Sequence, residues 1–255
     1  MSGSFRRFLS VSALALLAGF MAVPVARAQV ACPAIPPRAA PPAEAVPGLV
    51  PVPYWHQRME VLGRTSATTD LPRVRLLFLG DSITEGWTPL IFQQFYGHRG
   101  ALNMGVGSDT TQGLLWRLAR SPLGTTLRPQ LVVLMIGTNN THNPKSDEVA
   151  LGIAETIRLI RQRSPGSRIL VVGIPPRGAT ALDPVRGSVA RVNALVSRCA
   201  DNTAVFYTDP GAMMVDHAGN LSNQVATDLL HPTVIGYAIL SAALEPLIHS
   251  LLGKP

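Results

Sequence analysis

Apolar and polar positions alternate in blocks along this 255-residue chain. Five short apolar runs read as strands: "VRLLFLG" (74–80), "ALNMGV" (101–106), "LVVLMIG" (131–137), "RILVVGI" (168–174) and "AVFYTD" (204–209). The runs at 131–137 and 168–174 are apolar throughout, the pattern of strands covered on both faces. Between the runs, the spacing predicts helices over 110–120, 147–163 and 184–200, with a last helix over about 233–252. Ahead of the first strand, "YWHQRMEVLGR" sets Trp55, Met59 and Leu62 on one helical face, which predicts a short N-terminal helix packed on the domain. Strands alternating with helices imply an α/β fold, a three-layer α/β/α sandwich around a five-stranded parallel sheet. There is no internal repeat, and one domain over 54–255 accounts for the pattern.

The N-terminal 53 residues follow other rules. Arg6-Arg7, an apolar run from Phe8 to Val25 and then Ala26-Arg27-Ala28 describe an export signal over 1–28. Its removal predicts an exported protein without a stable membrane span; a retained anchor is the competing reading, and the apolar stretch is short for one. The paired arginines do not separate the Sec from the twin-arginine route. Residues 29–53 are dense in proline without periodicity and read as a linker or tether, not as core. The two cysteines, Cys32 and Cys199, are compatible with a disulfide in an oxidising compartment. Free thiols, and lipid attachment at Cys32, are the other readings.

Charge narrows the partners. The formal net charge is +7. Without the three arginines of the signal, 19 basic residues face 15 acidic ones, spread without blocks. No nucleic-acid footprint follows. His56, His98, His142, His217 and His249 show no metal-ligand spacing, and no phosphate loop occurs, so neither cofactor nor metal is expected.

Functional loops of parallel sheets gather at the carboxyl ends of strands. There the chain offers Gly80-Asp81-Ser82, Gly105-Val106-Gly107-Ser108-Asp109 and Gly137-Thr138-Asn139-Asn140, with "ATDLLHP" before the last helix. Together they contain the parts of acyl transfer: a nucleophile (Ser82), a base (His231), a carboxylate three residues earlier to orient it (Asp228), and oxyanion donors. Those donors are the Asn139 amide and the backbone N–H groups of Ser82 and of the Gly107–Ser108 loop. Each residue also has a plain reading: Ser82 as a helix cap, His231 as a surface histidine, Asn139 as a turn residue. Trp87 and Trp116 fit a substrate pocket or the core, and His142 follows the third loop closely enough to edge a pocket.

"FLGDSITEGW", "NMGVGSDTT", "MIGTNN" and "DLLHP" resemble, in order, the sequence blocks of the SGNH hydrolases, the GDSL esterase/lipase family. Within it, "ALNMGVGSDTTQGLLWRL", "IGTNN" and "IPPRG" are most similar to the platelet-activating-factor acetylhydrolase catalytic-subunit branch. The resemblance spans Tyr54 to Leu252. It implies a flavodoxin-like SGNH fold, Ser82 as nucleophile, His231 as base, Asp228 as its partner and Asn139 as oxyanion donor. The family's oxyanion glycine falls on Ser108, with Gly107 as the alternative. Neither "GxSxG" nor an HGGG-type motif is present, which argues against an ordinary α/β-hydrolase.

The expected function is an exported serine esterase acting on short acyl esters, acetyl first, of small molecules or polysaccharides. Activity on longer acyl chains (lipase, lysophospholipase or thioesterase) is the nearest alternative. A non-catalytic module binding acylated glycans and a phosphate-handling domain are the others.

Overall fold

The computed structural model describes Met1, Cys32 and residues 34–142 and 145–253; the export-signal expectation falls outside them. Five parallel strands, β1 (Leu76–Gly80), β2 (Ala101–Gly105), β3 (Leu131–Met135), β4 (Arg168–Val172) and β5 (Val205–Thr208), form one sheet in the order β2-β1-β3-β4-β5. All five lie within the expected runs. β1 and β3 are buried along their whole length, as uninterrupted apolar sequence requires of central strands.

Among the described residues seven α-helices cover the two faces: α1 (Pro53–Thr68), α2 (Ser82–Glu85), α3 (Pro89–Tyr96), α4 (Thr111–Ala119), α5 (Ser146–Arg163), α6 (Pro184–Val196) and α7 (Val234–Leu252). Two cores result. One includes Leu77, Leu79, Val132 and Leu134 under α1, α4, α5 and α6. The other holds Leu76, Phe78, Leu131 and Val133 under α7 and the aromatic residues of α3. Alternate residues of one strand thus serve opposite layers, as the pleat dictates. α7 is apolar and long enough to span a membrane by length and composition, and it buries Leu240, Leu244 and Ile248 in the second core.

Several features differ from expectation. α6 ends at Val196, with a 3₁₀ turn over Ser197–Cys199, so the single helix to 200 is two elements. The short α2 and α3 are absent from the pattern reading. α2 has one turn, too few residues for periodicity, and α3 has only two turns, with Gln93-Gln94 dividing its apolar residues.

The proline-rich stretch is the larger correction, because it is not a free tether. From Ile35 to Val52 it runs across α4 and α5, with Ile35, Ala45 and Val50 buried. Thr111 Oγ1 donates to Glu44 O (2.8 Å), Gly48 N donates to Gln112 O (3.1 Å), and Arg158 donates to Ile35 O. Its prolines limit local pairing to short turns, including a 3₁₀ turn over Ala43–Ala45, so other backbone groups along it are left to bond the domain beneath. Cys32 and Cys199 form a disulfide with a Cα–Cα distance of 4.3 Å, which fastens the strap and removes Cys32 as a lipid-attachment site.

Candidate active site

The strand order reverses beside β1: β2 lies on one side of it, and β3 onward on the other. The crevice at such a switch point, at the carboxyl ends of the strands, is where ligands of parallel sheets bind. Ser82 follows β1, the Ser108 loop follows β2, and Asn139 follows β3. Three neighbouring strands therefore deliver the three loops side by side.

Gly80 ends β1, and α2 folds back over it at once. A Cβ there would lie 2.0 Å from Thr84 Oγ1 and 2.2 Å from Met135 O, so only glycine allows this approach. Asp81, not Ser82, caps α2: its Oδ1 accepts from Ile83 N (3.0 Å). This leaves the Ser82 hydroxyl free of capping duty. Asp81 is buried, and that burial pushes its carboxyl up to about 7.

Ser82 Oγ lies 2.9 Å from His231 Nε2, and His231 Nδ1 lies 2.7 Å from Asp228 Oδ2. The other Asp228 oxygen accepts from Leu230 N (3.1 Å) and His231 N (2.7 Å). Leu229 makes this turn possible by adopting φ 60°. Burial works to raise the Asp228 carboxyl, but the hydrogen bonds from His231 and Leu230 outweigh it and hold the group below its ordinary value. Such a carboxylate stays ionised beside the imidazole and favours its Nδ1–H tautomer.

Residues 78–239 match the GDSL-like lipase/acylhydrolase family. The chain belongs to that family. It is a carboxylic ester hydrolase of the SGNH type. Its relatives include the platelet-activating factor acetylhydrolase IB subunit alpha2 of Homo sapiens, 36% identical over 181 residues that cover 69% of this chain and 77% of the relative. Among solved structures, a GDSL-like lipase from Bacteroides thetaiotaomicron superposes with a TM-score of 0.60 at 23% identity, covering 77% of this chain and 98% of that one. An acetylxylan esterase from Geobacillus stearothermophilus superposes with a TM-score of 0.55 at 19% identity, covering 72% and 97%.

In this acylhydrolase the second loop sorts its two candidates. Gly107 N donates to Glu85 Oε2 (2.5 Å), so this amide is engaged within the protein. Ser108 adopts φ 62°, the left-handed region that a glycine would enter freely. Its N–H, like that of Ser82, has no acceptor among the described residues. The third loop divides similarly. Asn139 Nδ2 donates one hydrogen to Asp109 O (2.8 Å), which ties it to the second loop and leaves its other amide hydrogen available. Asn140 instead holds α4, accepting from Thr111 N (3.0 Å) and donating to Gln112 Oε1 (2.8 Å).

Beneath the loops lies a buried pair that sequence reasoning missed. Arg117 Nε donates to Asp109 Oδ2 (2.7 Å), Trp55 Nε1 to Asp109 Oδ1 (2.9 Å), and Arg117 Nη2 to Gly80 O (3.0 Å). Burial pushes the Asp109 carboxyl up, and Arg117 and Trp55 oppose this. An arginine amid the apolar residues of α4, eight positions after an aspartate, was the available signal. Trp87 is core, its Nε1 donating to Ser241 Oγ (3.1 Å). Trp116 is half-buried under the Arg120 guanidinium, and His142 is exposed. An apolar cavity of about 190 Å³ lies between α1 and the sheet, lined by Met59, Leu62, Met104 and Leu118 among others; it includes no residue of the Ser82–His231–Asp228 chain. Among the described residues no cluster of His, Cys, Asp and Glu could hold a metal.

Proposed function

We propose that this chain is an exported serine esterase that removes short acyl groups, acetyl first, through an acyl-serine intermediate. The observation that carries the reading is the unbroken chain of short contacts from Ser82 Oγ through His231 to Asp228. Ser82 attacks the ester carbonyl as His231 Nε2 takes its proton, and Asp228 stabilises the imidazolium. The Ser82 and Ser108 N–H groups and the Asn139 amide receive the oxyanion. His231 then protonates the leaving alcohol, and water releases the acid by the same steps in reverse order.

The acetyl preference draws support from names on two sides: acetylhydrolase for the relatives and acetylxylan esterase for a fold neighbour. A carbohydrate O-acetyl ester is the first substrate class to test, because an exported enzyme meets polysaccharides. The His231 and Asp228 side chains are 44% and 55% exposed, which suits an ester carried on a bulky alcohol. Export draws support from the N-terminal sequence and from the disulfide, a bond of oxidising compartments.

The test is hydrolysis of p-nitrophenyl esters from acetate to long acyl chains, with wild type beside Ser82→Ala. Turnover that falls with chain length and vanishes in Ser82→Ala is the expected result. A long-chain preference would move the substrate to lipids, and equal rates in the two proteins would remove the nucleophile assignment.

A further inference from the structure

The left-handed backbone of Ser108 is unfavourable for a residue with a Cβ, and persists only where its surroundings over-determine it. Both neighbours of Ser108 are indeed held. On one side, the Asp109 carboxylate takes hydrogen bonds from Trp55 and Arg117. On the other, Gly107 N is bound by Glu85 Oε2. The second Glu85 oxygen is occupied as well, accepting from Tyr54 OH (2.7 Å) and ion-paired with the Arg58 guanidinium, whose Nε lies 2.9 Å away. Arg58 Nε also lies 3.1 Å from Gly105 O, at the start of the same loop. The Glu85 side chain is only 16% exposed, and its charge-assisted bond to Gly107 N is partly buried, the setting in which such bonds are strong; Tyr54 closes the clamp from the surface.

We propose that Glu85 is a positioning residue for ester hydrolysis. Clamped by Tyr54 and Arg58, it fixes Gly107 so that the next amide, Ser108 N–H, points at the developing oxyanion. The inference rests on the reading of Ser108 as an oxyanion donor. Glu85 closes the one-turn helix that Ser82 opens, so four residues tie the nucleophile to the donor loop in a fixed register. Packing completes the clamp: a Cβ on Gly107 would lie 2.6 Å from Tyr54 Cε1 and 3.2 Å from Glu85 Oε2. α1 thereby acquires a role in the site, since Tyr54, Trp55 and Arg58 all come from its first two turns.

The experiment is steady-state hydrolysis of p-nitrophenyl acetate, together with inhibition by phenylboronic acid. The boronate forms a tetrahedral adduct on the serine oxygen and occupies the oxyanion position, whereas KM for the ester does not depend on that geometry in the same way. Full-length Glu85→Ala, folded by circular dichroism, is expected to lose about tenfold or more in kcat and a matching factor in boronate affinity, with KM within about twofold. Glu85→Gln retains one acceptor and is expected to recover part of both losses. Gly107→Ala, which pushes the Tyr54 ring away, and Tyr54→Phe, which deletes one clamp bond, are expected to shift kcat and boronate affinity together in the same direction. If Glu85→Ala does not fold, these two variants decide the matter.

Unchanged kcat in the folded variants, or a fall in kcat with unchanged boronate affinity, overturns the clamp. Ser82→Ala is measured in parallel. If it loses activity while the Glu85 variants do not, the clamp alone is wrong. If it retains activity and boronate binding, the Ser82-nucleophile reading falls and takes the clamp with it.

Discussion

Ser108 and Leu229 are two of the three described non-glycine residues with positive φ, and both border the site. Each conformation costs about 1–2 kcal/mol, offset by the hydrogen bonds of its neighbours. Asp228 illustrates the coupling, because one of its oxygens holds the turn while the other holds the imidazole. Asp228→Asn can keep the acceptor for the two amides and lose the ionised partner, whereas Asp228→Ala loses both. We therefore expect kcat to fall in both but further in Asp228→Ala, with Ser82→Ala the worst of the three; kinetics on one acetyl ester ranks them. Asp81 makes a different prediction. Its folded carboxyl, at about 7, lies above the unfolded value, so the folded state binds the extra proton. The stability this contributes is complete below about pH 4 and is lost as pH rises through about 7. Asp81→Asn retains a cap acceptor for Ile83 N–H without titrating. Its stability relative to wild type should rise between pH 4 and 7 in urea unfolding; a constant difference would remove the buried-acid explanation.

At the scale of elements, α4 and α1 matter to the site although neither carries a proposed catalytic residue. Arg117 on α4 ties the second loop to the end of β1 through Asp109 and Gly80 O. Arg117→Leu would leave Asp109 buried and uncompensated, a loss of about 3–5 kcal/mol, visible as a lower denaturation midpoint. Arg117→Leu combined with Asp109→Leu should recover part of that stability but not the esterase rate, since Ser108 would lose its anchor. The face of α1 was readable from Trp55 and Leu62, both buried. That Trp55 also donates to Asp109 was not, because periodicity reports which face is covered and says nothing of the polar atom at the far end of an indole. The one-turn α2 escaped for a related reason. Its stability comes from the Asp81 cap and from Tyr237 OH donating to Ile83 O (2.9 Å), 154 residues away, and not from local pattern.

Over the whole molecule, the strap from Ile35 to Val52 lies across α4 and α5, and nearby Cys32 is fastened to Cys199, beyond the end of α6 and ahead of β5. The disulfide spans a sequence separation of 167 residues, for which loop-closure entropy gives an upper figure of about 5 kcal/mol of stabilisation. It sits toward the amino edge of the sheet, while Ser82, Ser108 and Asn139 occupy the carboxyl edge. Cys199→Ser, or reduction, should lower the thermal midpoint while leaving kcat for p-nitrophenyl acetate near wild type at 25 °C. A parallel loss of kcat would mean that the strap also shapes the site.

The sequence by itself determined the five strands and the principal helices, and it pointed to Ser82, Asp228, His231 and Asn139 as the candidate residues. These depend on apolar periodicity and on short motifs, in which the informative residues are near one another along the chain. Tertiary structure alone decided the rest. Only strand order sets the three loops side by side at the switch between β2, β1 and β3. Only the Glu85 contact separates Ser108 from Gly107 as the free amide, and only packing turns a proline-rich stretch into part of the core. Each of these depends on groups tens of residues apart, whose meeting is governed by burial and hydrogen-bond satisfaction in three dimensions, quantities that no local pattern encodes.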